Sequence, residues 1–312
     1  MLASEQDDGI FYILWEDVLI YFQNIHLSWN PALFSFRTTI HGFWPLTQGP
    51  VDDTFNVGEN PQHVLHLSDS AVSKKATIWI LLSRHVAKQE QEGCEATDYL
   101  TVHAHRNNEN RDIIWYPRGK SCVLTGAYTN NPHVLIRYDA SGPADKYISL
   151  VLSQYKKSHD LAFTLSCFCT EPFYLSQPAK GLPLCREVSS EWTMSTAGGP
   201  PGLITFQQNP MWAVHVPDEG AYIQMRVNTV KSFAVNVMLV SVEECGQRVK
   251  QITREPMLDS GDYRHGFTIT EKIRKIPGGE YTIIVSTYTP GQVGKFRLSI
   301  SSSSKLKIKC IP

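Results

Sequence analysis

Several clusters in this sequence hold residue types that could do chemistry. His103-x-His105 puts two imidazoles on one face of a strand, and His63 with His66 makes a second close pair. Zinc needs three or four ligands and outer groups to orient them. Neither pair has a third Cys or carboxylate at a suitable spacing, so both read as partly exposed strand histidines and no metal is expected. Glu90, Glu92, Glu95 and Asp98 are the nearest approach to an acidic calcium loop. An EF-hand loop needs regularly spaced oxygen ligands, a central glycine and a terminal glutamate, and no segment supplies them. Dense pairs such as Asp-x-Asp are also missing, so the stretch reads as a solvated loop. Lys305, Lys307 and Lys309 alternate with Leu306 and Ile308, which on a strand sends all three ammoniums to one face. Such a row can touch anionic lipid, at ~1 kcal/mol per lysine near the surface, or bind a partner. The simpler reading is that it guards an edge strand from pairing with other chains. Arg264, close to Asp262, is a further binding candidate, though a turn and an inter-domain pair explain it better. Trp44, Trp79, Trp192 and Trp212 read as core or domain-junction anchors.

The elements that must position these groups are mostly strands. Ala76–Leu82, Tyr99–His103, Ile113–Tyr116, His133–Tyr138, Tyr147–Ser153 and Leu161–Leu165 are short, rich in β-branched and aromatic residues, and bounded by Gly, Pro, Asn or Asp. Residues 171–190, with Pro172, Pro178, Gly181 and Pro183, read as a linker. Strand signals resume at Met211–Val216, Ala221–Val227, Phe233–Val240, Gly266–Ile269, Tyr281–Val285 and Phe296–Ile300. Evenly spaced strands without intervening helices predict antiparallel sandwiches. Residues 10–24 hold the one convincing helix pattern, with Trp15, Val18, Leu19 and Phe22 on one stripe. That segment is too short to bury its stripe alone.

An internal repeat organises the strands. Asn60-Pro61 is echoed by Asn209-Pro210 at the start of an equivalent strand. Ser153-x-Tyr155 recurs as Ser286-x-Tyr288, and Phe163-x-Leu165-Ser166 recurs as Phe296-x-Leu298-Ser299. Both motifs shift by the same interval from one copy to the other, so their internal spacing is kept. Trp44 and Trp192 precede Asn60-Pro61 and Asn209-Pro210 at similar distances. From Asn-Pro to Ser-x-Tyr the first copy, 60–153, is longer than the second, 209–286, so it carries an insertion that includes Lys88 to Asp98. The expected fold class is therefore mainly β: two tandem antiparallel β-sandwich domains, over 41–170 and 191–312, joined by 171–190. At 312 residues the chain is long enough for two such cores without disulfide or metal support.

Composition excludes several classes. Residues 1–190 carry 15 Lys/Arg against 20 Asp/Glu and residues 191–312 carry 14 against 10, so a net charge of −1 hides a mildly basic C-terminal half. No strongly basic face is available for nucleic acid. Met1 to Asp8 lacks the apolar stretch of a secretory signal, no Asn-x-Ser/Thr acceptor occurs, and no run of about 18 apolar residues could span a membrane. The expectation is a cytoplasmic protein with reduced thiols.

Several stretches resemble the calpain superfamily. Residues 7–30, with Asp8-Gly9-x-Phe11-x-x-x-Trp15-x-Asp17, look like the last segment of a calpain protease core. Trp192-x-x-Ser195-Thr-Ala-Gly-Gly199 followed by Asn209-Pro210 is similar to the entry of the calpain β-sandwich called domain III, or C-two-like. Ser260-Gly-Asp-Tyr-Arg264-x-Gly-Phe267 and Ile276-Pro-x-Gly279-x-Tyr281 add to the match. Two such sandwiches without EF-hands after them resemble the PalB/calpain-seven branch. The resemblance implies that 1–40 is a helix-strand remnant of a protease core. It also implies a regulatory or targeting role beside an intracellular cysteine endopeptidase, with a protein substrate or ESCRT-III-related partners, ambient-pH signalling and an endosomal association. Papain-like chemistry needs a thiolate Cys, a His and an Asn. Their segments are not found here: there is no Gly-His-Ala-Tyr and no Asn-Pro-Trp, and the Asn-Pro pairs at 30, 60, 131 and 209 read as turns or strand entries. No catalytic residue and no cofactor are expected, with calcium at the acidic loop the nearest exception. The alternative is a peripheral adaptor docked on anionic membrane.

Overall fold

The computed structural model describes residues 12–23, 30–51, 55–85, 99–243, 246–270 and 273–312. The first half supplies β1 (Phe36–Trp44), β2 (Gln62–Leu67), β3 (Thr77–Arg84), β4 (Tyr99–Arg106), β5 (Cys122–Thr125), β6 (His133–Asp139), β7 (Tyr147–Tyr155), β8 (Leu161–Cys169) and β9 (Phe173–Ser176). They form two antiparallel sheets, ordered β1-β8-β3-β6 and β5-β4-β7-β2-β9. Alternation builds the core between them. Ile78, Ile80 and Leu82 of β3 and Phe163, Leu165 and Cys167 of β8 face Leu100, Val102 and Ala104 of β4 and Ile148, Leu150 and Leu152 of β7.

The second half supplies β10 (Leu184–Trp192), β11 (Met211–Val216), β12 (Ala221–Thr229), β13 (Ala234–Ser241), β14 (Leu258–Asp259), β15 (Arg264–His265), β16 (Phe267–Ile269), β17 (Arg274–Ile276), β18 (Gly279–Thr287), β19 (Gly294–Ser302) and β20 (Lys307–Ile311). One sheet runs β10-β19-β12-β16, with β17 also on β12, and the other runs β14-β13-β18-β11-β20, with β15 on β13. The two halves share one wiring. β1-β8-β3-β6 matches β10-β19-β12-β16, and β4-β7-β2-β9 matches β13-β18-β11-β20. Even the register repeats: Ser166 lies between Thr39 and Leu81, and its counterpart Ser299 lies between Glu187 and Arg226. Trp44 and Trp192 close the equivalent strands β1 and β10, and both are buried.

Four expectations need correction. The linker is shorter than 171–190, because β9 and β10 occupy both its ends and only 177–183 connects them. Pro172, Pro178 and Pro183 flank those strands and interrupt neither, which is where proline costs no ladder bond. The first sandwich begins before residue 41, since all of β1 pairs with β8 from Phe36 onward. Ile113–Tyr116 is a loop and not a strand. The helix pattern over 10–24 yields α1 (Trp15–Tyr21), which buries none of its residues; Phe22 is already extended, and residues 10, 11 and 24 lie outside the described residues.

Candidate interaction surfaces

The loop that mimicked a strand joins the two sandwiches. Gln62 is buried, and its side-chain amide donates to Val57 O at 2.9 Å and Ile114 O at 2.8 Å while accepting from Ile114 N at 3.0 Å. Val57 N also donates to Trp115 O at 2.9 Å. These bonds hold residues 55–59 and 113–116 together and aim Trp115 and Tyr116 at the second sandwich. Trp115 stacks on Phe267 with centroids 6.0 Å apart, and the Arg226 guanidinium lies 5.7 Å from the centroid of its ring. Arg226 also donates to Glu59 at 3.0 Å. The Tyr116 hydroxyl accepts from Ile269 N at 3.2 Å, and Arg264 packs 4.0 Å over the Tyr116 ring. Gly58 leaves the room: a Cβ there would lie 2.0 Å from Trp115 Cε3. The connection is pinned as well, by Ala179 N donating to Arg111 O at 2.8 Å.

Trp115→Ala should therefore uncouple the sandwiches, with a loss of about 2–4 kcal/mol of contact energy. Limited proteolysis within 177–183 should accelerate, and the radius of gyration should rise. An unchanged cleavage rate would assign the junction no mechanical role.

The sequence candidates are not brought to one place. Lys307 and Lys309 lie exposed on β20, which among the described residues pairs only with β11 and ends its sheet; Lys305 precedes that strand, and Leu306 and Ile308 pack toward the core. Arg264, on β15 at the opposite edge of the same sheet, faces the junction instead. Glu90, Glu92, Glu95 and Asp98 lie outside the described residues. Among the described residues no group of three His, Cys, Asp or Glu side chains could hold a metal ion, and no helix is long and apolar enough to cross a membrane.

The four strand histidines are buried, which corrects the expectation of partial exposure. A loop covers the outer face of the β5-β4-β7-β2-β9 sheet, with Asn107 donating to Ser149 Oγ at 2.6 Å and Ile114 clamped on Gln62. His66 bonds Ser176 Oγ at 2.7 Å and stacks on Tyr174. Among the described residues, His103 Nδ1 and His105 Nε2 have no hydrogen-bond partner. Burial, with Arg118 nearby, pushes His103 down to about 4; burial, with His103 nearby, does the same to His105.

Lys157 was not legible as a special residue. It is 3% exposed. Its ammonium donates to the carbonyls of Pro45 at 3.4 Å, Gly49 at 3.5 Å and, most closely, Gln48. It lies 5.5 Å from the Trp44 ring centroid. Burial lowers its pKa, partly countered by Glu59 and Asp160. Lys157→Met keeps the volume and orphans those carbonyls, so a loss of about 1–3 kcal/mol is expected in urea unfolding. A neutral result would mean water replaces the ammonium without cost.

Fold and surfaces together define a tandem β-sandwich protein whose two units meet through an aromatic and guanidinium junction. No protein-family model matches the chain. It is 30% identical to Calpain-7 of Mus musculus over 306 residues, covering 98% of this chain and 36% of that protein. It is 29% identical to the calpain-like protease palB/RIM13 of Aspergillus oryzae over 317 residues, covering 98% of this chain and 35% of that protein. The corresponding values for palB of Emericella nidulans are 27%, 308 residues, 97% and 35%. Over nearly its whole length the chain is similar to Calpain-7 and to PalB/RIM13 calpain-like proteases, a likeness that supports the PalB/calpain-7 branch of the calpain superfamily. It spans just over a third of the length of these curated relatives. PNGase F of Flavobacterium meningosepticum covers 87% of this chain and 99% of its own at 10% identity, with a TM-score of 0.25, too slight a likeness to bear on fold or function.

Proposed function

We propose that this chain is the non-catalytic C-terminal region of a calpain-like cysteine endopeptidase, in which the two sandwiches brace the protease core and recruit protein substrates or partners in the cytoplasm and at endosomes. The observation that carries the reading is the match of nearly the whole chain to about a third of calpain-like relatives. The Asn-Pro pairs support it, because Asn60 donates to Leu152 O and Asn209 to Gly199 O and Phe206 O at the entries of β2 and β11, where each serves as a backbone fastener. A casein cleavage assay on this chain should show no turnover, and the transcript upstream of Met1 should encode a Cys-containing papain-like core. Clear thiol-dependent cleavage by these residues alone would overturn the reading.

A second reading, docking on anionic membrane, draws on Lys307 and Lys309 sharing the outer side of an edge strand. Co-sedimentation with phosphatidylserine vesicles that collapses at high salt would favour it.

A further inference from the structure

β6 ends its sheet with an open edge, and the phase of its hydrogen bonds can be read from the residues that flank it. Arg84 N donates to Pro132 O at 2.9 Å, and Ala140 N donates to Ala76 O at 3.0 Å. Both bonds continue the register between β3 and β6, which runs from Thr77↔Asp139 to Ser83↔His133 without a shift. Bonded pairs alternate along an antiparallel ladder, so Val134, Ile136 and Tyr138 turn their N–H and C=O groups toward β3. His133, Leu135, Arg137 and Asp139 turn theirs outward. Among the described residues β6 pairs with no other strand.

The second sandwich closes the same position. Its β16 spans only Phe267–Ile269, and the register makes Ile269 the counterpart of Leu135. Ile269 N donates to the Tyr116 hydroxyl at 3.2 Å, so the amide that is capped there is open in the first sandwich. β6 also lacks the usual guards against edge pairing. Its seven residues include no proline, glycine or lysine, they form no bulge, and those pointing inward are Val134, Ile136 and Tyr138.

We infer that β6 is a self-association edge, which pairs antiparallel with β6 of a second copy about a two-fold axis at Ile136. Such an axis must match outward groups with outward groups, and only the strand's midpoint engages all four outward residues. His133 then stands opposite Asp139 of the second copy, and Leu135 opposite Arg137. Ile136 meets itself at the closer, non-bonded spacing. Moving the axis to Leu135 drops Asp139 and sets His133 against Arg137. Moving it to Arg137 sets two guanidiniums face to face. This complementarity within one strand favours a second copy over an unrelated extended segment. Leu135 is 43% exposed, so the pairing also removes apolar surface from water. One strand per copy makes a small interface, which places the dimer at roughly 10–100 µM.

Sedimentation velocity of the 312-residue chain over about 1–200 µM tests this. Leu135→Lys places an ammonium opposite Arg137 twice per dimer and should weaken association about tenfold or more. Leu135→Glu faces the same guanidinium with a carboxylate and should strengthen association about threefold. Opposite signs at one exposed position follow from the register, whereas simple apolar contact would be weakened by both. Leu135→Pro deletes an outward N–H and no bond to β3, so the dimer should vanish while the thermal midpoint holds. Amide exchange at Leu135 and Arg137 should slow as concentration rises, and exchange at Ile136 should not change. Weakening by lysine and glutamate alike would overturn the pairing, as would a dimer that leaves the Leu135 and Arg137 amides fast. A chain still monomeric at about 200 µM would overturn it too and leave the edge to an extended segment of another protein.

Discussion

Trp192→Ala is expected to destabilise the second sandwich by about 3–5 kcal/mol, a large share of the stability of a domain this size. The ring is fully buried at the end of β10, tilted on Phe296 with centroids 4.2 Å apart and edge-on to Phe233 at 6.1 Å. Its indole N–H donates to Val285 O at 3.2 Å, so truncation opens a cavity and leaves a buried carbonyl without that donor. Trp192→Phe should recover part of the loss, because it refills the space against Phe296 but supplies no donor. Urea unfolding of both variants separates the contributions. If alanine costs less than about 1 kcal/mol, the site collapses around the gap and the ring is no anchor.

Acid should unfold the first sandwich earlier than carboxylate titration alone would. His103 and His105 are held near 4 in the folded state and titrate near 6.5 when exposed. The unfolded chain therefore binds more protons between those values. Stability is complete above pH 6.5 and is lost as pH falls toward 4, by roughly 2–3 kcal/mol per histidine before coupling. Asp145 acts in a lower window. Burial alone would raise its pKa, but hydrogen bonds from Ser141 and Arg106 outweigh that and hold it at about 2, so its contribution disappears only below the ordinary carboxylate range. Unfolding free energies measured from pH 7 to pH 4.5 should fall steeply, and imidazole resonances of the folded protein should stay neutral to about pH 5. A flat profile over that interval would show that the two rings reach solvent.

The repeat was legible because side-chain alternation and Asn-Pro entries are local signals that survive in one sequence. Ser166 and Ser299 fall in the same slot of their sheets, as the common offset of the two motifs required. The junction was not legible, for a physical reason. Ile113, Ile114, Trp115 and Tyr116 carry strand-like residue types, but their backbone bonds go to Gln62 and Val57 and their rings to another domain. Propensity cannot tell a β-ladder from a loop that buries aromatics elsewhere. The edge strands β9 and β10 escaped notice because prolines at their ends outweighed short, half-polar patterns. The partner of Arg264, the Tyr116 ring, is remote in sequence and carries no charge to announce it.

Lys157 has one more implication. Many surface loops hold their shape around a dissolved ion and lose it in chelator; at residues 45–49 the positive charge is covalently attached to the fold. That end of the first sandwich should keep its conformation whether divalent cations are scarce or abundant.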